Sequence, residues 1–187
     1  MAELRTACLM LLALTGLTGV AYPLAVTGVA QLLFPGQANG SLISGSGSAL
    51  IGQPFDDPRY FWSRPSATGP FPDNAAASSG SNLGPTNDKL LEAVKGRIDA
   101  LRAADPGNTA PIPVDLVTAS ASGLDPHLSP AAAYYQAGRV ARERGLDRSV
   151  VEELVRQHTE GRWLGLLGEP GVNVLQLNLA LDRAAAQ

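Results

Sequence analysis

The sequence is poor in the residues that build disulfides, metal centres and nucleic-acid interfaces. Its 187 residues include one cysteine, Cys8, and two histidines, His127 and His158. A disulfide within the chain is therefore excluded, and a zinc site of regular spacing is not expected. The formal net charge is -3, and no stripe of basic residues is available to neutralise phosphates. We therefore predict no metal site and no nucleic-acid partner.

Charged residues are absent from a long stretch near the N-terminus. No Asp, Glu, Lys or Arg lies between Thr6 and Phe55, and residues 7–34 are mostly Leu, Ala, Val and small residues. A bilayer span needs about 20 such residues, whereas the apolar part of a cleaved signal peptide has about 7–15. We therefore predict a short flank at 1–6, an uncleaved transmembrane helix at 7–34 and one soluble domain at 35–187.

The cations around this helix predict its orientation. Arg5 precedes the helix, and the first cation after it is Arg59. The positive-inside rule then places the N-terminus in the cytoplasm and the soluble domain outside. Pro23 removes a backbone donor in the middle of the apolar run, so a kink is expected there.

The remaining sequence predicts a small α+β domain. Residues 53–87 are rich in Pro, Gly, Ser and Asn and are predicted to be mostly loop. Apolar periodicity and capping residues predict three helices, which begin near Asp88, Pro130 and Asp147 and end near Pro106, Gly145 and Gly161. Short strands are predicted at 41–43, 49–51, 114–119 and 172–179, with a helix from Asn173 as the alternative to the last one.

The loop-rich region contains a cluster of aromatic residues. Tyr60, Phe61 and Trp62 are three of only ten aromatic residues in the chain, and Arg64 follows them. Aromatic side chains beside an arginine are typical of binding hot spots, so these four residues are candidate contacts with another subunit. The alternative is that the rings fill the core of a domain otherwise poor in aromatics and that Arg64 is paired internally. Both interpretations remain open, and they are compatible.

A hydrolase site is a remote alternative function for this domain. Ser120 or Ser122, His127, and Asp125 or Asp115 supply the residue types of a catalytic triad. His127 belongs to the sequence LDPH at 124–127, which predicts a turn. No Gly-x-Ser-x-Gly motif supports a hydrolase, and Ser and Asp near a turn usually bond their own backbone. We therefore predict no catalytic residue.

Several segments of the chain are distinctive when taken together: GSLI at 40–43, IGQ at 51–53, YFWSRPSA at 60–67, ASSGSNLGPTN at 77–87, DLVTASASGLDPH at 115–127 and VNVL at 172–175. These segments resemble the KdpC family, the C subunits of the Kdp potassium-transporting ATPases. Together with the N-terminal span they cover nearly the whole chain in order.

The resemblance implies a non-catalytic accessory subunit of an ATP-driven potassium import complex in the bacterial inner membrane. The implied partners are a channel-like subunit, a P-type ATPase subunit and a small peptide, besides the lipid bilayer. No cofactor is expected on this chain itself, since ATP would bind to the ATPase subunit. The chain has no Asp-Lys-Thr-Gly-Thr phosphorylation motif, which agrees with phosphorylation of the ATPase subunit and not of this chain.

The same resemblance implies a second possible role. The family is described as a catalytic chaperone that raises the ATP affinity of the pump subunit through a glutamine, and Gln176 is the candidate nucleotide contact here. A domain outside the membrane would not reach cytoplasmic ATP. The charge argument therefore favours an assembling or stabilising role first and assistance with ATP binding second.

Overall fold

The computed structural model describes residues 1–43 and 45–184 as two compact units, Met1–Ser48 and Ala49–Gln187. The first unit is dominated by one continuous helical stretch, Ala2–Leu33, which is long and apolar enough to cross a membrane and has no buried residue in its most apolar window. At 1.5 Å per residue its 32 residues extend for about 48 Å, more than the thickness of a bilayer core.

The helical stretch changes its winding directly before the proline. Helix α1 (Ala2–Leu14) passes into a π-helical segment, Thr15–Ala21, and continues as α2 (Tyr22–Leu33). Pro23 has no backbone N–H and its ring crowds the preceding turn, so the wider π-helical winding lies where the regular hydrogen bonds are interrupted. The short helix α3 (Pro35–Ala38) and a hairpin of β1 (Leu42–Ile43) and β2 (Gly47–Ser48) complete this unit.

Over its described residues, 49–184, the second unit combines four α-helices with a small sheet, as the α+β prediction requires. The helices are α4 (Asp88–Ala104), α5 (Pro130–Arg144), α6 (Arg148–Gln157) and α7 (Val174–Ala184). The start of α5 follows the predicted capping chemistry, because Ser129 Oγ accepts a hydrogen bond from Ala132 N–H and Pro130 occupies the first turn. Gly145 ends the same helix with φ of 64°, a left-handed conformation that glycine adopts without strain.

Three antiparallel strands form the sheet in the order β3-β5-β4. They are β3 (His127–Leu128), β4 (Thr159–Glu160) and β5 (Gly171–Asn173). Val172 is the central residue, since it pairs with Leu128 on one side and with Thr159 on the other. The sheet leads directly into α7, and the buried sides of α5, α6 and α7 supply most of the domain core.

The loop-rich region 53–87 is packed onto the segment that precedes β3. Its only helix or strand is the 3-10 helix Ala75–Ala77, and the rest consists of turns and irregular backbone. Ser66 Oγ donates to the carbonyl of Gly123 at 2.7 Å, and Ser120 N–H donates to the carbonyl of Pro65 at 3.1 Å. Gly123 lies with φ of +68°, and a Cβ added to it would lie 2.6 Å from the carbonyl oxygen of Ser79. This contact needs the small size of glycine as well as its freedom at positive φ.

The predicted strand at 114–119 is wrong. Val114–Leu116 is a 3-10 helix, and Thr118 Oγ1 donates to the carbonyl of Val114 at 2.8 Å. The adjacent residues Leu116 and Val117 are both buried, whereas a half-buried strand would alternate. The adjacent apolar residues Leu116 and Val117 are therefore explained by a tight turn that buries both side chains, and not by a strand.

Three other local predictions need correction. Residues 49–51 form turns, and the second strand of the hairpin lies earlier, at β2. The strand predicted over 172–179 ends at Asn173, so the alternative of a helix there is the correct one. His127, which the sequence placed in a turn, belongs to β3.

Candidate functional site

Three buried polar side chains hold the aromatic segment in place. Gln136 and Arg139 lie on α5 and Asn178 lies on α7, and each is at most 3 % exposed. We call these three residues the clamp. All three bind backbone groups of residues 58–62, so a segment without regular structure is held by side chains from two helices.

The two amides of the clamp bind the backbone in the way a neighbouring strand would. Asn178 Oδ1 accepts from Phe61 N–H at 2.9 Å, and Asn178 Nδ2 donates to the Phe61 carbonyl at 3.0 Å. Gln136 repeats this pattern with Trp62, accepting its N–H at 2.9 Å and donating to its carbonyl at 3.1 Å. Both peptide groups are therefore satisfied although no strand lies beside them.

Arg139 completes the clamp with a buried positive charge. Its Nη1 donates to the carbonyls of Pro58 and Tyr60, the latter at 3.1 Å, and its Nη2 donates to Gln136 Oε1 at 2.7 Å. The guanidinium carbon also lies 4.6 Å from the centroid of the Trp62 ring. Burial lowers the pKa of Arg139 to about 10. The group is therefore still charged at neutral pH.

The four candidate contact residues have different surroundings. Phe61 is completely buried in the core, and Trp62 is half-buried and packs against it, so the core interpretation applies to both rings. Tyr60 is half-buried beneath Arg144, whose guanidinium carbon lies 4.5 Å from the ring centroid. Arg64 is partly buried and pairs with Asp125. The surfaces available to a partner are thus parts of Tyr60, Trp62 and Arg64.

Arg64 lies in an acidic cleft of about 460 Å³ in the second unit. Its Nη1 donates to Asp125 Oδ2 at 3.1 Å, while Asp125 Oδ1 lies 3.6 Å from His127 Nδ1 and accepts from His127 N–H at 3.0 Å. The internal pairing expected for Arg64 is therefore present. Its Nε is buried without a hydrogen-bond partner in the described part of the chain. Asp115, Glu160 and Glu169 add acidic groups to the lining.

Asp125 and His127 shift each other's proton affinity. The contact of the imidazole with the Asp125 carboxylate raises the pKa of His127 above its ordinary value of 6.5, against the opposing effect of burial. The same contact, together with the His127 backbone N–H and Arg64, lowers the pKa of Asp125 although burial opposes this change. The stabilising effect of His127 is therefore complete below its ordinary pKa and is lost as the pH rises through its folded pKa. For Asp125 the effect is present above its ordinary pKa and is lost as the pH falls.

We expect Asp125→Asn to lower the pKa of His127 measured by NMR titration of its imidazole in the full-length chain. The matched control is Asp115→Asn, in the same cleft, because Asp115 Oδ2 accepts from Ser129 N–H at 2.8 Å and does not bind His127. The control should leave the pKa of His127 closer to that of the wild-type chain. Equal shifts in the two variants would show that the general field of the cleft, and not the Asp125 contact, sets the pKa.

The structure does not bring the triad candidates together. Ser122 Oγ accepts from Leu124 N–H at 3.1 Å, which is a local turn contact. Ser120 is buried, and among the described residues neither serine hydrogen-bonds to His127. The same part of the chain contains no group of three or more His, Cys, Asp or Glu that could hold a metal ion. Ser120, Ser122 and Asp115 therefore have identifiable roles in backbone packing.

Gln176 lies in the first turn of α7 and is half-buried. Its N–H donates to Asn173 Oδ1 at 3.1 Å, and its side-chain amide makes no hydrogen bond within the described residues. It is separate from the residues that line the acidic cleft. The amide is thus available for a ligand or a partner, as the nucleotide-contact hypothesis requires.

The sequence did not identify the clamp. Gln136 and Arg139 lie among small residues on a helix whose sequence does not indicate that polar side chains are buried. The backbone groups that they bind belong to residues 74 or more positions earlier in the chain. A second missed feature is an exposed apolar turn around Trp163, described below. Its signal was present in the sequence, since four of the five residues 163–167 are large and apolar.

Comparison with known proteins gives one consistent result. The family model described as "KdpC: K+-transporting ATPase, c chain" matches residues 4–183. The protein called Potassium-transporting ATPase KdpC subunit from Polaromonas naphthalenivorans (strain CJ2) is 71% identical over 183 residues, which cover 96% of this chain and 93% of the relative. Its namesake from Sorangium cellulosum (strain So ce56) is 66% identical over 188 residues, covering 98% and 99%. That from Methylococcus capsulatus is 69% identical over 182 residues, covering 95% and 96%.

Proposed function

This chain belongs to the KdpC family, the c chains of the K+-transporting ATPase, and we propose that it is a non-catalytic accessory subunit that assembles or stabilises the pump and channel-like subunits. The observation that carries this proposal is the amount of apolar surface left uncovered. The most apolar window of the Ala2–Leu33 stretch is wholly exposed, and four large apolar side chains of the second unit are 58–80 % exposed in one short turn.

Uncovered apolar surface of this kind marks contacts with lipid or with other proteins. The helical stretch has the length and composition of a bilayer span. Small residues such as Gly16 and Gly19 would allow a neighbouring helix to approach closely, and a Cβ added at Gly16 would meet nothing within 4 Å. The side chains with the chemistry of a triad, by contrast, are engaged in holding the domain's own backbone.

We place the second unit outside the inner membrane because Arg5 is the only cation near the span. The second candidate function, assistance with ATP binding, requires the opposite orientation. It is supported by Gln176, whose side-chain amide is available near the start of α7. Orientation therefore distinguishes the two functions.

The test uses a tagged full-length chain with Cys8→Ala and Ser81→Cys, produced together with the other subunits of the complex. Ser81 is exposed, so a thiol there is accessible. We expect the chain to co-purify with the pump and channel-like subunits. We also expect an impermeant maleimide to label it in cells whose outer membrane alone is permeabilised.

Two results would contradict this proposal in different ways. Labelling only after lysis of the inner membrane would place the domain in the cytoplasm and favour the role in ATP binding. A chain that does not co-purify with any subunit would contradict the accessory role itself. The parent chain with Cys8→Ala alone is the control for background labelling.

A further inference from the structure

A tight turn between β4 and β5 presents large apolar side chains to solvent. Trp163, Leu164, Leu166 and Leu167 are 68, 75, 80 and 58 % exposed. We call these four residues the apolar tip. Isolated apolar residues on a surface are common, but four in one turn form a continuous patch of the kind that marks an interaction site.

The apolar tip is held in one shape by its own backbone. Trp163 and Leu167 form a bridge in which each N–H donates to the other's carbonyl, at 2.8 and 3.0 Å. At the base, Arg162 Nη2 donates to both carboxylate oxygens of Glu169, at 2.8 and 3.0 Å. A turn that is already ordered loses little conformational entropy when it binds.

Leu164 has an unfavourable backbone conformation. Its φ is 53°, in the left-handed region that leucine rarely adopts. Gly165 follows with φ of 73°, so the backbone turns sharply at these two residues and leaves the Leu164 side chain outside. An unfavourable backbone conformation that exposes an apolar side chain is typical of a functional surface.

The charges around the tip favour a protein over a lipid surface. Glu160 and Glu169 flank the turn against a single cation, Arg162, and both glutamates also line the acidic cleft with Asp115 and Asp125. Segments that insert into membranes are usually rich in Lys and Arg, because bilayer surfaces are anionic. A second copy of this chain would likewise bring acidic groups against acidic groups.

We infer that the apolar tip docks into an apolar pocket with a basic rim on another subunit of the transport complex. This inference rests on the proposed accessory function and assigns a surface to it. The leucines and Trp163 would fill the pocket, while Glu160 and the acidic cleft beside it would face the cations of its rim. The charges would guide the encounter and the apolar side chains would slow dissociation.

The test compares two identical substitutions in the full-length chain within the complex. Leu166→Gln alters the apolar tip, and Leu91→Gln alters an exposed leucine of α4, 56 % exposed, as the matched control. We expect Leu166→Gln to raise the dissociation rate of this subunit from the detergent-solubilised complex on the order of tenfold. Leu91→Gln should change it less than about twofold. Both side chains are exposed, so thermal unfolding of the two variant chains should match that of the wild type.

A second arm tests the lipid alternative with the native tryptophan. The isolated full-length chain is placed in nanodiscs of brominated phospholipid, and its tryptophan fluorescence is measured. The chain has two tryptophans, so the Trp163→Phe variant serves as the reference that reports the emission of Trp62 alone. We expect the Trp163 emission to be unquenched. Quenching would show insertion into lipid, and self-association lost in Leu166→Gln would show a second copy as the partner. Either result overturns the inference.

The failure of this inference is distinguishable from failure of the accessory function. Normal dissociation of Leu166→Gln would reject the docking surface while the wild-type chain still co-purifies with its partners. Failure of the wild-type chain to co-purify would reject the function on which the inference rests.

Discussion

Replacing Arg139 by methionine is expected to lower the free energy of unfolding of the domain by about 3–5 kcal/mol. Methionine keeps much of the side-chain volume but removes every donor. The carbonyls of Pro58 and Tyr60 and the Oε1 of Gln136 would each lose a hydrogen bond in a buried region. Each such loss costs about 1–3 kcal/mol when water does not replace the donor.

The matched control is Arg156→Met on α6. Arg156 is exposed and pairs with Glu153 three residues away, an arrangement that contributes little to stability because water screens the two charges. The measurement is urea-induced unfolding of both full-length variants and the wild type, followed by circular dichroism. A loss for Arg139→Met as small as that of the control would mean that water or a rearranged segment replaces the guanidinium.

We expect Phe61→Ala to lower the free energy of unfolding by about 3–5 kcal/mol, because the ring is completely buried. Phe71 lies in the same loop-rich region and is 57 % exposed, so Phe71→Ala should cost less than about 1 kcal/mol. This pair separates the two interpretations of the aromatic cluster. If Phe61 served mainly as a contact with another subunit, its removal would weaken assembly while leaving the unfolding midpoint unchanged.

The measurement is thermal unfolding of each variant beside its co-purification with the other subunits. The expected pattern is a lower midpoint for Phe61→Ala and a secondary loss of assembly that follows unfolding. An unchanged midpoint with lost assembly would contradict the burial argument. Retained stability in both variants would show that the core refills the space left by the ring.

The elements that the sequence predicted well carry local signals. Ser129 before Pro130 and Gly145 at the far end define α5 by capping chemistry alone, and the structure confirms this helix. The apolar stretch near the N-terminus is long and apolar enough to cross a membrane, and this property can be read from local composition alone. The family itself was identified because ordered segments such as 115–127 are specific even without a structure.

The elements that the sequence did not predict depend on distant partners. Whether residues 114–119 form a strand depends on neighbours that the local pattern does not specify, and here Leu116 and Val117 are both buried in a tight turn. The position of Phe61 depends on Asn178, which is 117 residues later. Such pairings follow from packing, so residue types and spacing alone left both interpretations of the aromatic cluster open.

The clamp also has a consequence for the synthesis of the chain. Phe61 leaves the ribosome 117 residues before Asn178, its hydrogen-bonding partner in α7. At about 5–20 residues per second, this interval lasts roughly 6–23 seconds. During that time Phe61 has no completed core to enter, and Gln136 arrives 42 residues before Asn178 on the same count. The aromatic segment therefore cannot close against α7 before Asn178 has been made, and until then Phe61 is exposed apolar surface of the kind that promotes aggregation.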